Sequence, residues 1–177
     1  LSPIDLDLRS RCLALILDCA PSNDEAVDRL CDLAAVRDAL CADARDVAEL
    51  LDRARRIATD VGDVVRIERQ LRDCYEQSGD WKNAERAAAV VAETDDLPGD
   101  WIGLSELRSW LGDRDGATRA LERVIAIDPS SRQANESLVR LAEREGQPDS
   151  AITRLVAWAE ADDAAPAGDR AMRMLDA

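Results

Sequence analysis

Residues 101–129 read WIGLSELRSWLGDRDGATRALERVIAIDP, and the prediction of the fold starts from this segment. Small and apolar residues recur at helix spacing in its second half, at Ala117, Leu121 and Val124. Gly112 separates this segment from an earlier one of similar length, and Pro129 closes it. The pattern predicts two short helices joined by a tight turn.

The same pattern recurs in one register, with spacings of 33 and 34 residues. Its columns are Leu71, Leu104 and Leu138; Gly79, Gly112 and Gly146; Ala84, Ala117 and Ala151; Ala88, Leu121 and Leu155; and Val91, Val124 and Trp158. The glycine is expected to end a first helix in the left-handed conformation. The alanine should let two helices approach closely, and the residue four positions later faces the same seam.

The amino-acid composition limits the classes of function that the chain can have. The chain has 177 residues, is 46% hydrophobic and carries a net charge of −14, with 23 basic and 37 acidic residues. That balance argues against a nucleic-acid partner, and no apolar run reaches the roughly 18 residues of a membrane span. Histidine is absent, which removes the commonest general base and metal ligand. We therefore expect no catalytic residue, no metal site and no cofactor.

The cysteines indicate a reduced compartment. They are Cys12, Cys19, Cys31, Cys41 and Cys74, an odd number without close C-x-x-C pairs. We interpret them as small core residues of a cytoplasmic protein. Asp113-x-Asp115-Gly116 is similar to part of a calcium loop but lacks the third loop acid, so we interpret it as a turn between helices.

The repeated columns resemble the tetratricopeptide repeat family. The copy that matches best has Trp101-x2-Leu104-Ser105, then Ala117-x3-Leu121, then Asp128-Pro129. The copy before it has Leu71, Tyr75, Ala84-x3-Ala88 and Pro98, and the copy after it has Leu138, Ala151-x3-Leu155 and Pro166. The sequence departs from the family where Arg72 replaces a small residue, Arg108 replaces tyrosine and Trp158 fills a usually small position.

This resemblance implies an all-α fold, a right-handed superhelical array of antiparallel helix hairpins. The repeats are predicted at 65–97, 98–131 and 132–166, with a degenerate repeat at 22–64. Its surplus residues are expected around 37–46, between helices or as an extended helix end. Residues 4–21 are interpreted as the second helix of a truncated repeat, which suggests a piece of a longer protein, and 167–177 as a capping helix.

The resemblance also implies a function. First helices of the family line a concave groove that usually holds a peptide or a partner helix. The groove-facing candidates in this chain are Arg66, Arg69, Asp73, Glu76, Ile102, Glu106, Ser109, Trp110, Glu136, Arg140 and Glu143. The paired Lys and Asn with which some members clamp a peptide carboxylate are not found at those places. The chain is thus predicted to be a non-catalytic interaction scaffold, and its acidity suggests a partner with a basic segment.

The four tryptophans are open to two interpretations. Trp101, Trp81 and Trp158 are expected to be packing residues, since large aromatics are mostly buried. Trp110 lies off the repeated stripe and is equally consistent with packing and with a partner contact.

Two other functions remain open at this point. The array could be a structural spacer or a self-associating segment of a large multidomain protein. It could also be the regulatory arm of an enzyme whose chemistry resides elsewhere in a longer chain.

Overall fold

The computed structural model describes residues 7–8, 10–12, 22–40 and 42–164, and every regular element in these ranges is an α-helix. The helices with defined bounds are α1 (Asn23–Ala39), α2 (Ala44–Ile57), α3 (Val61–Ser78), α4 (Trp81–Asp95), α5 (Pro98–Trp110), α6 (Arg114–Ile127), α7 (Arg132–Arg144) and α8 (Pro148–Ala164). The chain divides into two compact units, Leu1–Asp95 and Asp96–Ala177. The predicted all-α array of helix hairpins is confirmed.

In the first unit each helix packs against the next one along the chain, from α1 to α4. Ser22 and Asp60 begin two of the helices, because their side-chain oxygens accept backbone N–H bonds from Glu25 and Asp63. The apolar faces meet in a core whose large, fully buried side chains are Val27, Leu51, Ile67, Leu71 and Val91. Burial of these side chains is the main stabilising term of the unit.

The second unit repeats this order with α5, α6, α7 and α8. Pro98 stands at the first turn of α5, where its missing N–H leaves no bond unmade. Asp113 caps α6 by accepting the Gly116 N–H at 2.9 Å, and residues 114–116 form the first turn of this helix. The connection between α5 and α6 lies at 111–113, so the expectation of a turn at 113–116 is wrong for its last three residues, because the cap starts the helix there. One cluster of the unit's hydrophobic core contains Leu121, Val124, Ala134 and Leu138, with Trp101, Ile102, Ile125 and Leu141 packed against it.

The predicted left-handed glycines are confirmed. Gly79, Gly112 and Gly146 have φ of 76°, 82° and 68°. At the first of them, Gly79 N–H donates to the Glu76 carbonyl and Asp80 N–H donates to the Tyr75 carbonyl at 2.8 Å. These bonds satisfy carbonyls that the helix end leaves open, and the chain reverses into the next helix.

The repeated alanines are buried as predicted, with Ala84 and Ala117 0% exposed and Ala151 5% exposed. The column four residues later is buried at Ala88 and Leu121, but Leu155 is 45% exposed. The reason is positional: α8 is the last helix in the described part of the chain, so one of its apolar faces meets no following helix there.

The division into repeats stays a prediction, but the helix lengths bear on the surplus residues. Helices α1 and α3 have 17 and 18 residues, whereas α5 and α7 have 13 each. Around 37–46, α1 continues to Ala39 and α2 begins at Ala44. The capping helix expected at 167–177 lies outside the described residues, as does most of 4–21. None of the helices in the described ranges combines the length and hydropathy needed to cross a membrane.

Two glycine substitutions test the role of the turn. A Cβ added at Gly79 or at Gly103, inside α5, would not come within 4 Å of any heavy atom outside the local backbone and the neighbouring residues, but only Gly79 has a positive φ. We expect Gly79→Ala to lower the free energy of unfolding by about 1 kcal/mol, because alanine is strained in this conformation. Gly103→Ala should raise it by about 0.5–1 kcal/mol through helix propensity. Urea unfolding followed by circular dichroism measures both, and effects of the same sign would contradict the interpretation.

Candidate partner-binding surfaces

The arginines of the predicted surface on α3 are engaged in ion pairs. Arg66 Nη2 donates to Asp28 of α1 at 2.9 Å and to Asp63 at 2.7 Å, and Arg69 Nη2 donates to Asp95 at the end of α4 at 2.7 Å. The bond to Asp28 and then the bond to Asp63 raise the pKa of Arg66. Such part-exposed pairs contribute up to about 1 kcal/mol each, and they join α3 to its two neighbours.

The acidic candidates of α3 share one partner. Arg72 donates to Asp73 Oδ1 from Nη2 at 2.9 Å and from Nε at 3.1 Å, and its Nε lies 3.8 Å from Glu76 Oε1. Asp73 is exposed and Glu76 is half-buried. The structure therefore brings these two carboxylates to one stretch of α3 but partly neutralises them.

A cavity of about 200 Å³ opens between α1, α2 and α3. It is lined by Ala34, Ala35, Asp38, Val47, Leu51, Gln70, Asp73, Cys74 and Gln77. Burial, and then the charges of Asp38 and Asp73, raise the pKa of the Cys74 thiol to about 11. The thiol is therefore protonated at neutral pH and behaves as a small core group, as predicted. Cys31 is buried as well, whereas Cys12 is exposed, so the prediction of a core position is wrong for Cys12.

A larger, polar cavity of about 510 Å³ lies where α2, the end of α3 and the start of α4 meet. Tyr75 reaches it from α3 and donates its hydroxyl proton to Asp52 Oδ2 at 3.1 Å. Burial, and then the negative charge of Asp52, raise the pKa of Tyr75 to about 12. The arrangement fixes α3 against α2 through a neutral phenol.

On α5 the predicted candidates separate into two groups. Glu106, Ser109 and Trp110 are exposed, and Trp110 is 76% exposed, the largest fraction among the large apolar side chains described. Ile102 instead packs against the core cluster of the second unit. Ile102 is only partly buried, so its assignment to the groove stays a prediction.

The candidates of α7 are all exposed, namely Glu136, Arg140 and Glu143. Glu136 and Arg140 line an open hollow of about 260 Å³ together with Val139, Leu155 and Trp158. Glu136 and Arg140 offer polar contacts in this hollow, and Leu155 and Trp158 offer apolar ones.

The other tryptophans have different surroundings. Trp101 packs against the core, and its Nε1–H donates to Asp96 Oδ1 at 2.8 Å, so the packing role predicted for it is confirmed. Arg123 also donates to Asp96, and its bond, followed by the Trp101 bond, lowers the pKa of Asp96. Trp81 is 37% exposed at the start of α4. Trp158 is partly buried and lines the hollow rather than lying in the core.

No group of three metal-ligating side chains occurs in the part of the chain that the structure describes.

The fold is shared with several solved structures. The chain resembles crystal structures of MamA (20% identity, TM-score 0.61, covering 90% of each chain) and of TPR-like repeats of a kinesin light chain from Podosopora anserina (16% identity, TM-score 0.64, covering 88% of this chain and 84% of the other). It also resembles a tetratricopeptide repeat protein from Parabacteroides merdae (14% identity, TM-score 0.63, covering 88% and 60%). The chain has the tetratricopeptide-repeat fold. Comparison of the sequence with protein-family models and with curated proteins gives no match.

Sequence reasoning missed most of the α3 cavity. It selected Asp73 but passed over Gln70 and Gln77, which lie on the same stripe of α3, and it assigned Cys74 only to the core. The i, i+3, i+7 spacing of Gln70, Asp73 and Gln77 is a signal that could have found the first two. Asp38 comes from another helix, so no local pattern in the sequence could have joined it to them.

The single tyrosine of the chain makes the Tyr75–Asp52 contact measurable. We expect absorbance at 295 nm to titrate near pH 12 in the folded chain, and Asp52→Asn to move the midpoint down toward 10, with burial keeping it above that value. Because the folded pKa is raised, the contact stabilises the fold below pH 10 and is lost as pH rises toward 12. A wild-type midpoint near 10, with circular dichroism still folded, would contradict this assignment.

Proposed function

We propose that the chain is a non-catalytic protein-interaction scaffold that binds a peptide or a helix of another protein along its first helices. The observation that supports this most is Trp110, which is 76% exposed on α5 next to the exposed Ser109 and one turn from Glu106. An exposed tryptophan bordered by polar residues is typical of an anchor in protein interfaces. The tetratricopeptide-repeat fold supports the same proposal, and its groove is the predicted place of binding.

The charge of the chain favours a basic partner. The net charge is −14. The acidic residues behind this charge include three exposed candidates on α5 and α7, namely Glu106, Glu136 and Glu143. Opposite charges accelerate encounter and disfavour acidic competitors more than they add affinity. We therefore expect binding that weakens in salt.

One observation favours a second candidate function, self-association as part of a larger assembly. Helix α8 exposes Ile152, Leu155 and Val156, which are 59%, 45% and 53% exposed. Apolar side chains clustered on one helix mark a surface that another protein can cover. A second copy of the chain would be the occupant in this case.

The scaffold proposal is tested by selecting displayed random dodecapeptides on the immobilised chain. Trp110→Ala should weaken binding of the selected peptides about tenfold or more, because a hot-spot aromatic is removed. Glu106→Lys should weaken basic peptides specifically, whereas Glu93→Lys, an exposed charge reversal on α4, is the matched control and should change affinity less than twofold. Selection of no peptide, or equal binding by Trp110→Ala and wild type, would refute the proposal.

The alternative gives a different result. Light scattering over a concentration series measures the molecular mass of the chain in solution. The mass should stay that of a monomer if α8 does not bind a second copy, and it should rise toward that of a dimer with concentration if the chain self-associates. Ile152→Glu together with Val156→Glu should disperse such a dimer, while Trp110→Ala should leave it intact.

A further inference from the structure

The cavity between α1, α2 and α3 is lined by carboxylates, amides and apolar side chains. Two carboxylates, Asp38 and Asp73, are exposed lining residues, and the amides of Gln70 and Gln77 add further polar groups. The buried side chains of Val47 and Leu51 form an apolar part of the wall. At about 200 Å³ the cavity is smaller than the pockets of roughly 300–1,000 Å³ that hold drug-sized ligands, and so it suits a single side chain.

We propose that this cavity binds the side chain of a lysine or arginine of the partner. The inference rests on the proposed function and names the chemistry of one contact in it. The cationic head would lie between Asp38 and Asp73, and the alkyl stem would pack along Val47 and Leu51. Long basic side chains combine an apolar stem with a charged head in this way.

The carboxylates act on the interior of the cavity. Both Asp38 and Asp73 raise the pKa of Cys74, which lies in the cavity wall, so their negative potential extends to the buried side. Potential of this sign favours a cation in the same space and disfavours a carboxylate.

Gln70 contributes a side-chain amide to the cavity wall. Its Oε1 is buried and has no hydrogen-bond partner among the described residues. A buried acceptor without a partner is unfavourable, so a rotation of the Gln70 amide that brings Oε1 to the cavity would gain the missing bond from a donor N–H of the ligand. Ammonium and guanidinium groups carry three and five N–H donors and no acceptor, so they match a wall of carboxylates and amide oxygens.

Arg72 competes with the proposed ligand, because it already donates to Asp73 Oδ1 at 2.9 Å. Its side chain is 30% exposed. Removing this guanidinium frees a carboxylate of the cavity. Arg72→Gln should therefore tighten the binding of a cation, which is opposite in sign to the effect of removing Asp38 and Asp73.

The test uses small probes on the full ¹⁵N-labelled chain. Agmatine should cause saturable NMR shifts of the Gln70 side-chain amide and the Cys74 backbone amide, whereas pentanoate and pentan-1-ol should not. Asp38→Asn with Asp73→Asn should raise the agmatine Kd at least tenfold, and Arg72→Gln should lower it several-fold. The charge-matched control is Asp24→Asn with Glu93→Gln, two exposed acids of the same unit, and it should change the Kd less than twofold. Shifts elsewhere, or equal shifts with pentan-1-ol, would overturn the proposal.

The selected dodecapeptides distinguish a failure of the cavity assignment from a failure of the proposed scaffold function. Wild type should enrich lysine or arginine at one fixed position, replacement of that residue by norleucine should weaken binding at least tenfold, and the Asp38→Asn with Asp73→Asn variant should lose the preference. Peptides that bind without a basic residue would overturn the cavity assignment and leave the scaffold function standing. Agmatine bound in the cavity with no peptide selected would overturn the scaffold function, and the assignment to a partner side chain with it.

Discussion

Each hairpin is held together by the close approach of its helices at a buried alanine. The helices have 13 to 18 residues, and helices of this length are marginal in water when isolated. Ala84 and Ala117 are 0% exposed, so each second helix is packed at a position where a larger side chain would push it away. Every hairpin therefore obtains its stability from a neighbour, and the helices of each unit pack in series rather than around a common centre.

The sequence predicts those parts of the fold that local rules determine. The left-handed conformation of Gly79, Gly112 and Gly146 follows from a turn that only glycine enters without strain, and the buried alanines follow from the repeat period. Leu155 follows the same period but is exposed, and Trp158 is only partly buried, because burial depends on what packs beyond α8. Ile102 packs against the core cluster with part of its side chain exposed, so its assignment to the groove stays a prediction.

The candidate surfaces were harder to predict because ion pairs join distant parts of the chain. Arg66 pairs with Asp28, 38 positions away, and Arg123 pairs with Asp96, 27 positions away. Neither pairing has a signal in the repeat period. The sequence correctly placed charge along α3 but could not show which charges stabilise the unit and which remain available to a ligand.

Helix α3 separates these two roles along its length. In its first half, Arg66 pairs with Asp28 of α1 and Arg69 pairs with Asp95 of α4. These ion pairs stabilise the packing of α3 within the unit and involve no ligand. In its second half Gln70, Asp73 and Gln77 border a cavity. Within the described part of the chain, Gln70 Oε1 has no hydrogen-bond partner, and Arg72 pairs with Asp73. Because the fold is already fixed by the alanine contacts and the turns, the second half can keep the Gln70 acceptor unsatisfied at a modest cost in stability. That condition favours a ligand with many donors, and it makes binding depend on the charge of the ligand more than on its shape.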